Sequence, residues 1–404
     1  MPNVVFVAPF LMEATLRFVE ATADLPGVRL ALVSQDSRIP PHIASKLAKH
    51  EVVPDALDAQ RIADGVRRIS KEIGPAGRLL GALEELQVPL GEVRDLLGIR
   101  GLGADAARNF RDKSRMKDVL SAAGVPCARH RPVSRVEDAL AFADEVGFPV
   151  IVKPTAGSGS RNTFRVEDDA RLREVFSWEK PSERRPTMLE EFIIGDEFSF
   201  DSVFLDGRIV WSSINHYDPS PLEVLEKPWI QWCVLLPREV DRPEYGNIRD
   251  VAQRALMALG MQPGLSHMEW FRRRDGSIAI SEVGARPPGA QFTTLISYAH
   301  DTDFYRAWAR LMVYDDFTPP PRPYAAGAAF LRAQGKGRIQ AIHGLEEVRQ
   351  ALGGVMMEAK VPRRGEAPTG TYDGDGHVIV RHPDTELVKK ALSMIVSTIR
   401  VELG

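Results

Sequence analysis

The chain is poor in the features that mark several large protein classes. Only two of its 404 residues are cysteine. Cys127 and Cys233 lie far apart with no CxxC or histidine pattern beside them, which argues against a disulfide framework and against a thiolate metal site. Two reduced thiols in a cytoplasmic protein are the plain expectation. Basic residues run no further than pairs and triplets such as Arg67-Arg68, Arg184-Arg185 and Arg272 to Arg274, and the net charge is −3. No nucleic-acid footprint is visible in that pattern. Long apolar runs are missing too. The opening MPNVVFVAPFLMEATL has no charged leader and is interrupted by Glu13, so it reads as a buried strand entering a helix and not as a signal core or a membrane span. No GxGxxG follows that strand, which disfavours a dinucleotide site of the usual kind. There is no internal repeat and no low-complexity tract.

What the chain does have is length, an ordinary globular composition of 44% hydrophobic and 26% charged residues, and a clear alternation of patterns. Its length suits two or three packed domains with clefts between them. Short apolar runs at Val4 to Ala8, Arg29 to Ser34 and Glu51 to Pro54 are separated by helical periodicity at Met12 to Asp24 and Asp58 to Ile73, which predicts a small parallel α/β unit over residues 1–103. Residues Ala104 to Ala123 read as one long helix carrying Lys113, stopped by Gly124 and Pro126. Ser134 is the expected cap of a helix over Arg135 to Glu145. Strands at Phe148 to Pro154, Thr163 to Val166 and Thr187 to Phe192, with a helix at Asp168 to Trp178, predict a compact α+β unit at about 128–189. Hairpins are expected around Asp206-Gly207 and Asp275-Gly276. The proline run at 317–323 marks a stiff connector, so a central domain is expected over 104–316 and a final one over 317–404.

Several charged residues stand where stability alone would not put them. Lys153 closes an apolar strand and is followed by the small residues Gly157, Ser158, Gly159 and Ser160, then Arg161. Backbone amides in such a loop can approach an anion, and a lysine at its edge adds a point charge, although a surface turn with a snorkelling lysine reads the same way. Glu269 and Glu282 each sit in an apolar strand on opposite arms of one hairpin and can face each other. Two such charges repel unless a divalent cation and phosphate oxygens lie between them, the usual way magnesium is held. Arg286, four residues on, could stabilise a developing oxyanion, or simply pair with Glu282. The segment Glu190-Glu191-Phe192-Ile193, with Glu197 shortly after, places acids beside main chain that could read an adenine, with Glu197 placed to accept from ribose hydroxyls. His216, Tyr217, Trp232 and Gln291 are weaker candidates for a substrate pocket.

In this order the motifs resemble the ATP-grasp superfamily, with the likeness densest over about 104–305. The resemblance implies an ATP-grasp fold of mixed α/β and α+β type. It has a Rossmann-like N-terminal domain, a central ATP-binding domain with a mobile lid at about 128–189, and a small C-terminal α+β domain. It implies ATP and Mg2+ as cofactors, with Mn2+ as a substitute. Lys113 and Lys153 would contact phosphates, Gly157 to Arg161 would fold over them, Glu190 to Ile193 would read adenine and Glu197 the ribose. Glu269 and Glu282 would hold the metal, and Arg286 with Lys153 would act catalytically. The family's frequent Asn two residues after the second glutamate is Gly284 here, which puts the second metal position in question. The implied activity is a carboxylate–amine ligation through an acyl phosphate. The substrates would be small molecules, and nucleic acid and membrane are not expected as partners. A homodimer would be in keeping with the family. Two branches are similar: L-amino acid ligases, which the residues favour, and formate-dependent phosphoribosylglycinamide formyltransferase. A biotin-carboxylase-like component or a non-catalytic ATP-binding protein are the remaining alternatives.

Overall fold

The computed structural model describes residues 2–157, 162–227 and 229–404. Four sheets organise these residues. The first is parallel, in the order Lys49–Val52, Arg29–Ser34, Asn3–Ala8 and Arg78–Leu80. Its two central strands, Arg29–Ser34 and Asn3–Ala8, are nearly continuous apolar runs because helices cover both faces. The helices Glu13–Ala23 and Ala59–Ile73 follow the first and third strands, as their periodicity predicts.

A short 3-10 turn, Glu84–Leu86, leaves the carboxyl end of the fourth strand, the edge at which open parallel sheets ordinarily present ligand-facing groups. An aromatic cluster docks this unit on the rest of the chain. Trp308, on the helix Phe304–Tyr314, has ring centroids 4.8 Å from Phe18 and 6.2 Å from Phe6, and Tyr305 lies 4.7 Å from Phe18.

The eight-stranded sheet is the frame of the molecule. Its order is Ile278–Gly284, Gly264–Arg273, Gly195–Leu205, Arg208–Asp218, Trp232–Leu236, Ala325–Leu331, Gly376–His382 and Met356–Lys360. Both expected hairpins are present. Asp206 and Gly207 have φ of 51° and 76°, the pair of left-handed residues that a two-residue turn needs to match strand twist. The proline connector leads directly into Ala325–Leu331, which pairs along its length with Trp232–Leu236. The C-terminal segment therefore shares this sheet with the central one. A three-stranded sheet of Ala333–Gln334, Arg400–Leu403 and Ile339–His343 closes the C-terminal end.

The remaining sheet is antiparallel, in the order His130–Val133, Thr187–Glu191, Val150–Pro154 and Phe164–Val166. The helices Val136–Val146 and Asp169–Glu179 cover one face, burying Val150 and Val152. Alternation along a strand then turns Ile151 and Lys153 to the other face.

Two local expectations are corrected. The helix predicted over Ala104 to Ala123 is two, Ala104–Arg111 and Lys113–Ala122. Asp112 leaves helical geometry at φ −93°, ψ 110°, and its carboxylate accepts from the amides of Ser114 and Arg115, 2.9 and 3.1 Å away. Such a cap typically contributes about 1 kcal/mol, and here it outcompetes helix continuation. The break frees the Lys113 amide to donate to Thr155 O at 2.8 Å. Ser134 does not cap the next helix, which begins at Val136 with Arg135 in the cap position and no side-chain hydrogen bond.

Trp308→Ala should cost roughly 3–5 kcal/mol of packing between the first unit and the central sheet. A clear fall in the thermal midpoint is expected, largely restored in Trp308→Phe, with differential scanning calorimetry as the measurement.

Candidate active site

The cleft between the four-stranded sheet and the hairpin arms 264–273 and 278–284 gathers most of the predicted residues. A cavity of about 870 Å3 there is lined by Lys113, Lys153, Gly157, Glu190, Glu191, Phe192, Ile193, Glu197, Glu269 and Glu282, with apolar walls from Ala128, Ile151, Phe271 and Ile280. Ser158, Gly159, Ser160 and Arg161 lie outside the described residues.

Glu269 and Glu282 are register partners on adjacent antiparallel strands. A bulge falls between Glu269 and Trp270, so Ser281 is the extra residue and the two carboxylates end up on one face. About a quarter of each side chain is exposed (27% and 26%). Lys113 Nζ lies 2.8 Å from Glu282 Oε1 and 3.2 Å from the carbonyl of Gly157. Burial works against ionisation of Glu282, but Lys113 and Lys153, with Arg286 behind them, hold its carboxyl at about 2. Burial and the charge of Glu282 push the Glu269 carboxyl above its ordinary range. One acid of the pair is thus firmly ionised and the other resists ionisation. A dication between them would remove that conflict, and two carboxylates are the protein share with which magnesium is ordinarily held when phosphates complete its shell. Among the described residues no group of three or more His, Cys, Asp or Glu forms a closed metal cage.

The acids of the expected adenine segment are both engaged in ion pairs. Glu190 is buried, 2.9 Å from Lys153 Nζ and 3.3 Å from Lys117 Nζ. Glu191 is held by Arg129, whose Nε lies 2.5 Å away, and by Arg273 at 3.6 Å. With these side chains spent on ion pairs, the surfaces of this part of the cavity still open to a ligand are main chain and apolar wall. Arg165 covers Phe192 at 4.5 Å from the ring centre, and Ile193 packs with Ala128 and Ala279. Glu197 lies opposite Phe271, and its carboxyl is pushed up to about 8, by burial first and the charge of Glu269 second.

Glu269 and Glu282 also border a second cavity of about 1670 Å3, whose walls include Met12, Phe18, Glu84, Glu85, Tyr217, His267, Arg286, Gly289, Phe292, Tyr372 and Asp373. Arg286 does not pair with Glu282. Its guanidinium is bound by Glu84 from the N-terminal unit, and its Nη1 donates to Pro287 O at 2.8 Å. His267 is held by buried Asp201, 2.7 Å from Nδ1, and Asp201 in turn accepts from Asn215 at 2.6 Å. Gly284 faces Glu84 and Arg286: a Cβ built on it would lie 3.4 Å from a Glu84 carboxylate oxygen.

Of the weaker candidates, only Tyr217 lines this cavity. His216 meets Phe198 edge to face and lies 2.9 Å from Tyr245 Oη, Trp232 is fully buried against Phe330, and Gln291 accepts from Thr294.

Lys117, Glu84 and the Asp201–His267 pair are features that the sequence reading missed. Lys117 carried a signal, since it follows Lys113 by one helical turn and so shares its face. Glu84 carried none beyond its place after an apolar strand.

The family model described as an ATP-grasp domain matches residues 146–294. That match takes in Lys153, Glu190 to Ile193, Glu197, Glu269 and Glu282, so most of the cleft just described lies in a stretch similar to an ATP-grasp domain. Among curated proteins, the L-arginine-specific L-amino acid ligase of Bacillus subtilis is 25% identical over 295 residues, covering 72% of this chain and 70% of that one. The alanine–anticapsin ligase of Bacillus subtilis (strain 168) is 26% identical over 224 residues, 50% of this chain, and the match spans just 46% of that protein. The crystal structure of an L-amino acid ligase from Bacillus licheniformis superposes with a TM-score of 0.80 at 19% identity, over 100% of this chain and 99% of the other. The ATP-grasp fold thus extends over the whole described length. No helix among the described residues is long and apolar enough to cross a membrane.

The raised Glu197 carboxyl carries a sign. A carboxyl held neutral in the fold, at about 8 against 4.5 for the unperturbed group, stabilises fully below the lower value and loses that contribution as pH rises through the upper one. Without nucleotide, the wild-type thermal midpoint should fall relative to Glu197→Gln as pH rises from about 4.5 to about 8 and level off above that; parallel curves across the window would show that the fold does not raise this carboxyl.

Proposed function

We propose that the protein is an ATP-dependent ligase that joins a carboxylate to an amine through an acyl phosphate, releasing ADP and phosphate, with an amino acid among its substrates. The observation that carries this reading is the pair Glu269 and Glu282, standing between two adjoining cavities, with lysines on one side and Arg286 on the other. The similarity to named amino-acid ligases supports the same class. Lys113 and Lys153 face the phosphates, the apolar walls and the main chain of 191–193 take the base, and Glu197 takes the ribose. Glu269 and Glu282 hold magnesium, which neutralises phosphate charge when bound.

A carboxylate oxygen in the second cavity attacks the γ-phosphorus, and the bond from that phosphorus to the β,γ-bridging oxygen breaks, leaving ADP. The amine nitrogen then adds to the acyl carbon, Arg286 stabilises the oxygen that gains charge, and the carbon–oxygen bond to phosphate breaks as the nitrogen loses its proton. No side-chain nucleophile is required. Phosphoryl transfer of this kind depends on positioning and charge neutralisation, which lysines, paired acids and a guanidinium supply. We further propose that the unit at about 128–189 acts as a mobile lid over the nucleotide. In this reading residues 1–103 and 317–404 wall the acyl site, and the enzyme works in the cytoplasm, as a homodimer.

Glu282→Gln should lower turnover by at least about a thousandfold while leaving the circular-dichroism spectrum unchanged, because the metal and Lys113 both lose their charged partner. Near-normal activity in that variant would refute the metal assignment. The substrate class is tested by phosphate release across a matrix of amino acids, with formate plus a phosphoribosyl amine, and bicarbonate, as separate arms. Release only in one of the latter two arms would move the protein to a different reaction, and release in none, with nucleotide still bound, would make it a binding protein.

A further inference from the structure

We propose that Lys117 is a positioning residue for the phosphate side of this site, acting through the carboxylate of Glu190 on the ammonium of Lys153. The proposal rests on the reading above in which Lys153 faces the phosphates of the nucleotide.

Lys117 has no exposed surface and is not among the residues lining either cavity described above. Its Nζ lies 3.3 Å from Glu190 Oε1, and Lys153 Nζ lies 2.9 Å from the same oxygen. Among the described residues Lys117 Nζ makes no properly directed hydrogen bond. Two buried ammonium groups therefore share one carboxylate oxygen. They arrive from different parts of the fold. Lys117 belongs to the helix Lys113–Ala122, one turn beyond Lys113, whereas Lys153 and Glu190 belong to paired strands of the sheet across the cleft. Glu190 thus ties that sheet to the helix.

Burying a lysine is unfavourable, and burial pushes this ammonium toward its neutral form. A methionine of similar length would fill the same space without that cost. The charge therefore calls for an explanation beyond packing, and the geometry supplies one. If Lys117 were absent, Glu190 would have Lys153 as its only cation and would compete with phosphate oxygens for it. With Lys117 present, Glu190 keeps a partner after Lys153 turns to the nucleotide. Among the described residues lining the cleft the other cation, Lys113, is already engaged by Glu282 and Gly157 O, so the freedom of Lys153 bears directly on how tightly phosphates are held.

The test is a double-mutant cycle read by isothermal calorimetry with a non-hydrolysable ATP analogue and magnesium, beside steady-state kinetics. Lys117→Met should weaken analogue binding and raise the KM for ATP by about tenfold, leave the KM for the amine within about twofold, and be rescued to within about threefold of wild type by Lys117→Arg. On a Glu190→Gln background, where the competing carboxylate is gone, the further loss from Lys117→Met should shrink below about threefold. Unchanged analogue affinity in Lys117→Met overturns the inference. An equal loss on both backgrounds also overturns it, since the lysine would then act directly on the phosphates. Should Lys117→Met fail to fold, the pair Lys117→Met/Glu190→Gln, which leaves neither partner stranded, is compared with Glu190→Gln alone against the same threefold limit. Failure of the wild type to bind the analogue overturns the functional reading together with this inference, whereas binding by wild type and variant alike overturns the inference alone.

Discussion

Two carboxylates forced side by side in a half-buried cleft are the constraint around which this molecule is arranged. Glu269 and Glu282 are opposed by strand register, so neither can turn away without breaking the hairpin. Their mutual repulsion is what the surrounding cations answer: Lys113 from a helix start, Lys153 from a strand end across the cleft, and Arg286 from the loop after the second acid. Each arrives from a different element, and each has a second anchor that fixes it, Gly157 O for Lys113, Glu190 for Lys153 and Glu84 for Arg286. A site assembled in this way is preorganised for added negative charge, because the cations are already in place before any anion arrives.

Much of this was legible in the amino-acid order, for identifiable reasons. Alternation of apolar residues with a turn signal at Asp275-Gly276 was enough to place the two acids on facing arms of one hairpin. The register next to the turn would set Glu269 opposite Ser281, however, and it is the bulge, which has no signal in the sequence, that brings Glu282 there. Lys153 was legible because it interrupts an apolar strand at its end. The Lys113 helix was harder. Its periodicity continues through Asp112, and only the side chain of that residue, closing on two amides ahead of it, reveals the break.

Glu190 and Glu191 show a different limit. Their place beside the cleft was readable, but not that both carboxylates turn to lysines and arginines, because ion-pair partners more than thirty residues away in sequence carry no local signature. Glu84 is the extreme case. Its role comes entirely from the docking of the first unit through Phe6, Phe18 and Trp308, a long-range packing event with no pattern in the neighbourhood of Glu84 itself.

The path of the chain after the proline connector has a consequence for how this architecture can change. The strand Ala325–Leu331 extends the central sheet, and the segment between it and the last sheet strands brings Tyr372 and Asp373 to the second cavity. Tyr372 is fixed there through its carbonyl, which accepts from Trp232 and Arg332, and its ring packs at 4.4 Å against that of Trp232, a residue of the sheet. The wall around Tyr372 and Asp373 and the lysines of the first cavity thus come from separate stretches of chain, with Glu269 and Glu282 common to both cavities. Drift in the few residues around Tyr372 can therefore reshape the second cavity while Lys113, Lys153 and the paired acids next door stay untouched.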